Sequence, residues 1–418
     1  MKVAYVCADP GVRLGARKGA AVHLEEFARA LGRRGAEVVV IVGEVASARP
    51  GIRARAVALE PLEASTHEEL LRATGGGGGP DPAAIEIAQV LRDRAFERAL
   101  EEEHARSPIG GVVERLSLFS LAGLRFARRH GIPFALEVNS PLAEEQERWR
   151  ALALGSLARA VERRLHAESD LVACVSEPLR ARAIEHGAAP ERVAVLPNGV
   201  DPSRFHPDVP PEAVRRRHDL DGAFVVGFLG SLRPWHGVDF LLDAAAAARS
   251  AMPSLRVLVV GEGPELPAAR ARADDLGIGK VVVFGGWIDH EEVPAHLAAC
   301  DVVVAPYPPI EPFYFSPMKV VEAMAVGRAV VAPDLPALAT LLRHEENALL
   351  YRPGNLAHCV ETLVRLERDE PLRRRLGERA AKETLAERTW DRNAALVLER
   401  LSEAASRKGA EATGGSSR

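Results

Sequence analysis

Two ionisable residues, Lys319 and Glu322, stand three apart in a stretch that is otherwise apolar. Their neighbours are Met318, Val320, Val321, Ala323, Met324, Ala325 and Val326. Ser316-Pro317 precedes them, so the stretch reads as a helix over residues 318–326 with proline near its start. A helix this apolar belongs inside a fold, where a lysine and a glutamate need a task. Free backbone N–H groups at a helix N-terminus attract anions, and Lys319 adds a full charge there. The Glu322 carboxylate only accepts hydrogen bonds and suits paired hydroxyls. Together they suit a molecule with phosphates at one end and a ribose nearby. The ordinary alternative, a surface helix with both groups solvated, fits the apolar neighbours poorly.

Such a pair needs a frame to hold it. Residues 301–306 (Asp-Val-Val-Val-Ala-Pro) read as a buried strand ending in a loop, and residues 329–332 read as a second strand stopped by Pro333. Strand, loop, helix and strand make half of a parallel α/β unit. The chain opens the same way, with a strand over residues 3–7, a helix over 21–32 and a strand over 37–42. This predicts a doubly wound parallel sheet. Residues 83–106 and 116–131 read as helices, and residues 111–113, 133–138, 171–175 and 193–196 as strands. Residues 208–222 resemble a linker. A second α/β domain opens at residues 224–229, with further strands at 255–260 and 281–284. Residues 378–401 read as one long helical tail. Residues 49–74 give no clear pattern, the glycines at 75–79 read as a flexible turn, and residues 410–418 as a disordered tail. The expected domains are 1–200 and 201–385, followed by a helix over 386–405.

Composition narrows the function. The 418 residues carry 54 Lys+Arg against 58 Asp+Glu, a net charge of −4, which gives no bulk attraction for nucleic acid. Cys7, Cys174, Cys300 and Cys359 are far apart and lack metal-ligand spacing. They read as buried thiols of a reducing, cytoplasmic compartment. Met1 leads straight into a strand, so no leader is expected, and no apolar run approaches a membrane span. Residues 151–167 are amphipathic and arginine-bearing. They allow contact with the inner face of a membrane, although core packing is the commoner reason for such a helix.

The sequence Glu322-Ala-Met-Ala325 with Gly327 resembles the donor-sugar signature of the family-4-type retaining glycosyltransferases, in the subgroup with Ser-Pro-Met/Leu-Lys before it. Residues 193–201 (Val-Ala-Val-Leu-Pro-Asn-Gly-Val-Asp), with Phe205 and Pro207, resemble that family's interdomain hinge. The resemblance implies the GT-B fold, with two Rossmann-like domains facing across a cleft and the last helix returning to the first domain. It implies transfer of a sugar from a nucleotide-sugar to a hydroxyl acceptor with retention of configuration. It also implies donor contacts from Gly19 in the first loop, and from Ser231, Arg233 and His236 in the loop 230–237. Further donor contacts would come from Gly261, from Trp287 and Ile288 near the base, and from Tyr314, Ser316, Pro317, Met318, Lys319 and Glu322. Asn139 and Glu137, at a strand end, would lie on the acceptor side and act in catalysis with Lys319. His23 reads as an ordinary histidine of a helix start.

The chain departs from the family pattern in three places. Tyr314 stands where a first glutamate is usual, with Glu311 further upstream. Ser231 and His236 replace two habitual cations, leaving Arg233, Lys319 and a protonated His236 to meet the diphosphate. Asn139 stands where a histidine is common. No metal and no cofactor beyond the nucleotide-sugar co-substrate are expected. Two other readings compete: a non-catalytic nucleotide-sugar binding module, and a dinucleotide oxidoreductase built on Gly261-Glu-Gly263, whose third glycine position is occupied by Leu266.

Overall fold

The computed structural model describes residues 1–73, 81–309, 314, 316 and 317–414. The glycine turn at 75–79, Glu311 and the last four residues lie outside this set. The chain divides into two compact units. The first holds Met1–Pro197, Tyr314–Ser316 and Trp390–Arg418, and the second Asn198–Phe313 and Pro317–Thr389.

The first unit runs β1 (Lys2–Cys7), α1 (Gly19–Arg33), β2 (Glu37–Val42), β3 (Arg53–Ala56), α2 (Pro61–Ala73), α3 (Pro82–Arg106), β4 (Gly111–Arg115), α4 (Ala122–Arg129), β5 (Phe134–Val138), α5 (Leu142–Trp149), α6 (Gly155–Glu168), β6 (Leu171–Cys174), α7 (Glu177–Glu185) and β7 (Val193–Val195). Its seven strands are parallel, in the order β3-β2-β1-β4-β5-β6-β7. The central strands are apolar on both faces because helices cover both.

The second unit runs α8 (Glu212–Arg217), β8 (Phe224–Leu229), α9 (Val238–Ala248), β9 (Leu255–Val260), α10 (Leu266–Asp275), β10 (Val282–Gly286), α11 (Val293–Ala298), β11 (Val302–Val304), α12 (Met318–Ala325), β12 (Ala329–Pro333), β13 (Leu349–Tyr351), α13 (Leu356–Arg368) and α14 (Glu370–Glu387). Its six parallel strands lie in the order β10-β9-β8-β11-β12-β13, with a core on each face. The last helix, α15 (Trp390–Gly414), packs on α1 within the first unit. Two doubly wound, Rossmann-like sheets are therefore present. In each, the strand order reverses at one point, between β1 and β4 and between β8 and β11. Sheets of this kind bind ligands outside the strand ends at such points.

Some elements differ from the sequence reading. Residues 116–121 are a loop, not helix. Phe119 takes a left-handed φ of 65°, Ser120 donates to Asp93 at 3.1 Å, and Asp93 accepts from the N–H groups of Leu121 and Ala122, which sets the start of α4. The long tail is two helices. The break at Arg388-Thr389 is fixed by pairing with Val200, whose N–H donates to the Arg388 carbonyl at 3.0 Å. The last helix extends through residues 410–414, where alanine and glutamate favour it over the expected disorder. The unassigned stretch 49–74 contains β3 and α2, and the linker-like stretch contains α8. Among the described residues no helix is long and apolar enough to cross a membrane.

Candidate functional site

In the second unit, the loops after β8 and β11 meet at the reversal point. Gly230 follows β8 with φ 149°, and a Cβ there would lie 2.9 Å from the Lys319 Nζ. The lysine therefore crosses the glycine, and any side chain at 230 would displace it. Gly237 closes the same loop with φ 67°, and a Cβ there would fall 1.9 Å from the Pro306 carbonyl oxygen. Gly237 is demanded by the close approach of the β8 and β11 loops, and Gly230 by its positive φ.

Lys319 lies in the first turn of α12. Its Nζ is buried without a hydrogen-bond partner among the described residues and sits 4.4 Å from the Phe228 ring centre and 5.3 Å from that of Tyr307. Burial pulls its ammonium from the ordinary 10.5 down to about 7, with Glu322 opposing the shift. The aromatic faces soften the burial of charge but supply no acceptor. The N–H groups of Met318 and Lys319 likewise have no acceptor among the described residues, whereas that of Val320 turns back to the Pro317 carbonyl. The start of α12 thus carries three donors, the Lys319 ammonium and two backbone N–H groups, with no acceptor among the described residues, and a helix start with free donors favours an anion.

The neighbouring groups sort themselves by charge. His236 was expected as a pH-dependent cation, and the structure corrects this. Burial, helped by Lys319, pushes it down to about 3, so it is neutral at ordinary pH. Its Nδ1 faces the Ser231 carbonyl and must donate there, which leaves Nε2 as an acceptor. Arg233 is exposed beside it, its guanidinium 5.8 Å above the Trp235 ring. Ser231 is exposed too. Glu322, one turn beyond Lys319, is 8% exposed, and its Oε1 is 2.8 Å from the His290 Nε2. Its other oxygen has no partner among the described residues. Trp287 and Ile288 follow β10 half-buried, with Ile288 packed on the core. Gly261 zips the β9 loop to the β8 loop, since a Cβ on it would meet the Gly230 carbonyl at 2.0 Å. Gly263 is likewise closed off by Leu232. The Gly261-Glu-Gly263 pair is a packing device between loops.

The first unit carries a second polar cluster at the end of β5. Glu137 is 5% exposed. It accepts from the Tyr5 hydroxyl and, at 2.7 Å, from the Asn139 side-chain amide, and it pairs with the His23 Nε2. The Arg115 Nη1 lies 3.6 Å away. Burial alone would raise the carboxyl, but His23, Arg115 and Asn139 hold it down to about 2. A carboxylate so firmly ionised is a poor base, and both its oxygens are engaged. Asn139 is half-buried beside it. Gly19 opens α1 in clear space, with nothing within 4 Å of a Cβ built on it. His23 is not the ordinary helix-start residue expected. It is buried, bound to Glu137 and packed edge-on to Trp390, with ring centres 4.8 Å apart. Standing 114 positions apart, His23 and Glu137 carried no local signal of their pairing.

Tyr314, expected on the donor, is placed with the first unit. Its ring joins that unit's core, its hydroxyl donates to Glu145, and its carbonyl accepts from Ser176 at 2.8 Å. Ser316 groups with it, whereas Pro317, Met318 and Lys319 belong to the second unit. Among the described residues there is no group of three or more His, Cys, Asp or Glu arranged to hold a metal ion.

Known proteins place this architecture. The profile of the Glycosyltransferase Family 4 domain matches residues 17–204, and that of Glycosyl transferases group 1 matches residues 223–369. The chain is 30% identical over 371 residues to a D-inositol 3-phosphate glycosyltransferase of Geodermatophilus obscurus, an alignment spanning 83% of this chain and 77% of that protein. The chain belongs to the family 4 glycosyltransferases. It is also 26% identical over 370 residues to a GDP-mannose-dependent alpha-(1-6)-phosphatidylinositol monomannoside mannosyltransferase of Mycobacterium tuberculosis, covering 86% of this chain and 93% of that one. The structure of Anabaena HepE in complex with UDP and glucose superposes with a TM-score of 0.72 at 19% identity, covering 96% of this chain and 100% of that one, which shows a shared GT-B fold. This family 4 glycosyltransferase therefore moves a sugar from a nucleotide-sugar donor, and the oxidoreductase and non-catalytic readings fall away.

Proposed function

We propose that this enzyme transfers a hexose from GDP-mannose, with retention of configuration, to a hydroxyl of a phosphorylated inositol acceptor. The GDP-mannose-dependent relative supports the donor, and both relatives' names support an inositol-bearing acceptor. Retention rests on the resemblance of the Glu322 helix to the retaining enzymes.

The observation that carries the donor site is the buried Lys319 ammonium, without an acceptor among the described residues, beside Gly230 and at the start of α12. The diphosphate would occupy that point. Lys319 and the free N–H groups would receive the negative charge that grows on the leaving group, and Arg233 would fork onto its outer oxygens. Glu322 would accept from the ribose, and the backbone at Trp287 and Ile288 would hold the base. Asn139 would bind the acceptor hydroxyl, with Glu137 positioning Asn139 and His23 without itself taking a proton. No metal is required by this arrangement of charges.

The test is to incubate the enzyme with GDP-mannose, UDP-glucose or ADP-glucose and inositol 1-phosphate. Nucleotide release is followed, and the product linkage is read by NMR. Release of GDP with an α-linked mannoside is expected. A β-linked product would refute retention, and donor binding without release would restore the non-catalytic reading.

A further inference from the structure

Glu322 does not hold its orientation alone. His290, in the loop after β10, places its Nε2 2.8 Å from the Glu322 Oε1. The other ring nitrogen, Nδ1, lies 3.0 Å from the Arg204 Nη2, and the same Nη2 donates to the His290 carbonyl at 2.9 Å. An arginine has only donors. Nδ1 must therefore be the acceptor, and in a neutral ring the proton sits on Nε2 and points at Glu322. The tautomer is fixed by chemistry from one side, and the carboxylate is fixed from the other. The Phe205 ring, 5.4 Å from the His290 ring, completes the packing. All four residues belong to the second unit. Arg204 and Phe205 follow the hinge sequence, 118 and 117 residues before Glu322.

We infer that Arg204 and His290 are positioning residues that lock the Glu322 carboxylate, so that one oxygen is spent on His290 and the other is presented, in a single rotamer, to the hydroxyls of the donor ribose. This rests on the reading of Glu322 as the ribose acceptor. A glutamate carboxylate can rotate about three side-chain bonds. Tied at Oε1, it loses that freedom before the donor arrives, and the ribose need not pay for the ordering. The relay therefore acts on recognition of ribose against deoxyribose, and reaches base and phosphate only indirectly. It also explains why a histidine sits at a place where a lysine would serve charge balance as well. Lysine would attract Glu322, but it could not accept from Arg204.

The experiment measures binding of GDP and UDP, and of the 2′,3′-dideoxy form of each, to wild type and to His290→Ala, His290→Gln, Arg204→Lys and Glu322→Ala. In the wild type the ribonucleotide should bind better, and Glu322→Ala should erase most of that preference. His290→Ala should reduce the preference about tenfold while leaving the dideoxy affinity within about twofold, since one charge-assisted hydrogen bond is lost. Gln carries an amide N–H near the position of Nε2 and a carbonyl that can accept from Arg204, so His290→Gln should recover most of the preference. Circular dichroism and melting temperature confirm that each variant is folded. If the wild type itself makes no distinction between ribo and dideoxy forms, the ribose reading of Glu322 fails. If it does, and Glu322→Ala loses it while His290→Ala keeps it, the relay is overturned and the ribose reading stands. Equal loss of affinity for ribo and dideoxy nucleotides in folded His290→Ala would also overturn the relay, because it would mark a general structural role.

Discussion

Replacing Lys319 by methionine should make the protein more stable and the donor site weaker. The ammonium is held at about 7 against an ordinary 10.5. At pH 7 the unfolded chain keeps it charged, whereas the fold half-neutralises it. The difference opposes folding by about 4 kcal/mol. The sign follows from proton counts. Between pH 7 and 10.5 the unfolded state holds more protons, so stability rises with pH over that window, and the methionine variant should lack the rise. Methionine has nearly the same length and packs on Phe228 and Tyr307, so the variant should gain stability up to that figure. The same substitution should weaken GDP binding about tenfold to a hundredfold, the worth of one hydrogen bond to a charged group, while leaving guanosine unaffected. Calorimetry in two buffers of different ionisation enthalpy gives a second readout. If the diphosphate holds Lys319 charged, GDP binding at pH 8 should take up about 0.9 proton, and at pH 6 about 0.1. No proton uptake at pH 8 together with unchanged GDP affinity in Lys319→Met would refute the reasoning.

Two further outcomes concern the first unit. Glu137 is held at about 2 by His23, Arg115 and Asn139, so its stabilising effect is present above pH 4.5 and is lost as pH falls towards 2. Glu137→Gln should lower unfolding free energy by about 3 kcal/mol at pH 7 and remove that acid window, as urea titrations would show. His166 is buried with neither ring nitrogen bonded among the described residues, and burial, with His186 and Arg182 nearby, pushes it down to about 3. The unfolded chain protonates it below about pH 6.5, so some 2 kcal/mol of stability should be lost by pH 5. His166→Phe should flatten that slope, and an unchanged slope would contradict the assignment.

The fold was legible where burial leaves a continuous signal. Residues 37–42, 224–229 and 255–260 are valine-rich runs covered on both faces, and the strands found there have those limits. β3 reads Arg-Ala-Arg-Ala at the sheet edge and carries no apolar pattern, so only its pairing with β2 reveals it. Lys319 and Glu322 stood out because charge is anomalous in an apolar helix. The partners that give them geometry did not. Gly230 is 89 residues from Lys319 and His290 is 32 residues from Glu322, and nothing local marks either contact. The neutrality of His236 was equally hidden, since it follows from burial and from a lysine 83 residues away.

The central claim is that sugar transfer runs through a donor site built on Lys319 and Glu322. The most direct measurement is steady-state release of GDP from GDP-mannose, with inositol 1-phosphate present, by wild type, Lys319→Met and Glu322→Ala, each confirmed as folded. The account predicts turnover by the wild type. It predicts a higher KM for Glu322→Ala by about tenfold, from one to three kcal/mol of lost hydrogen bonding. It predicts a lower kcat for Lys319→Met, because leaving-group charge is greatest in the transition state. Wild-type kinetics in both folded variants would contradict it.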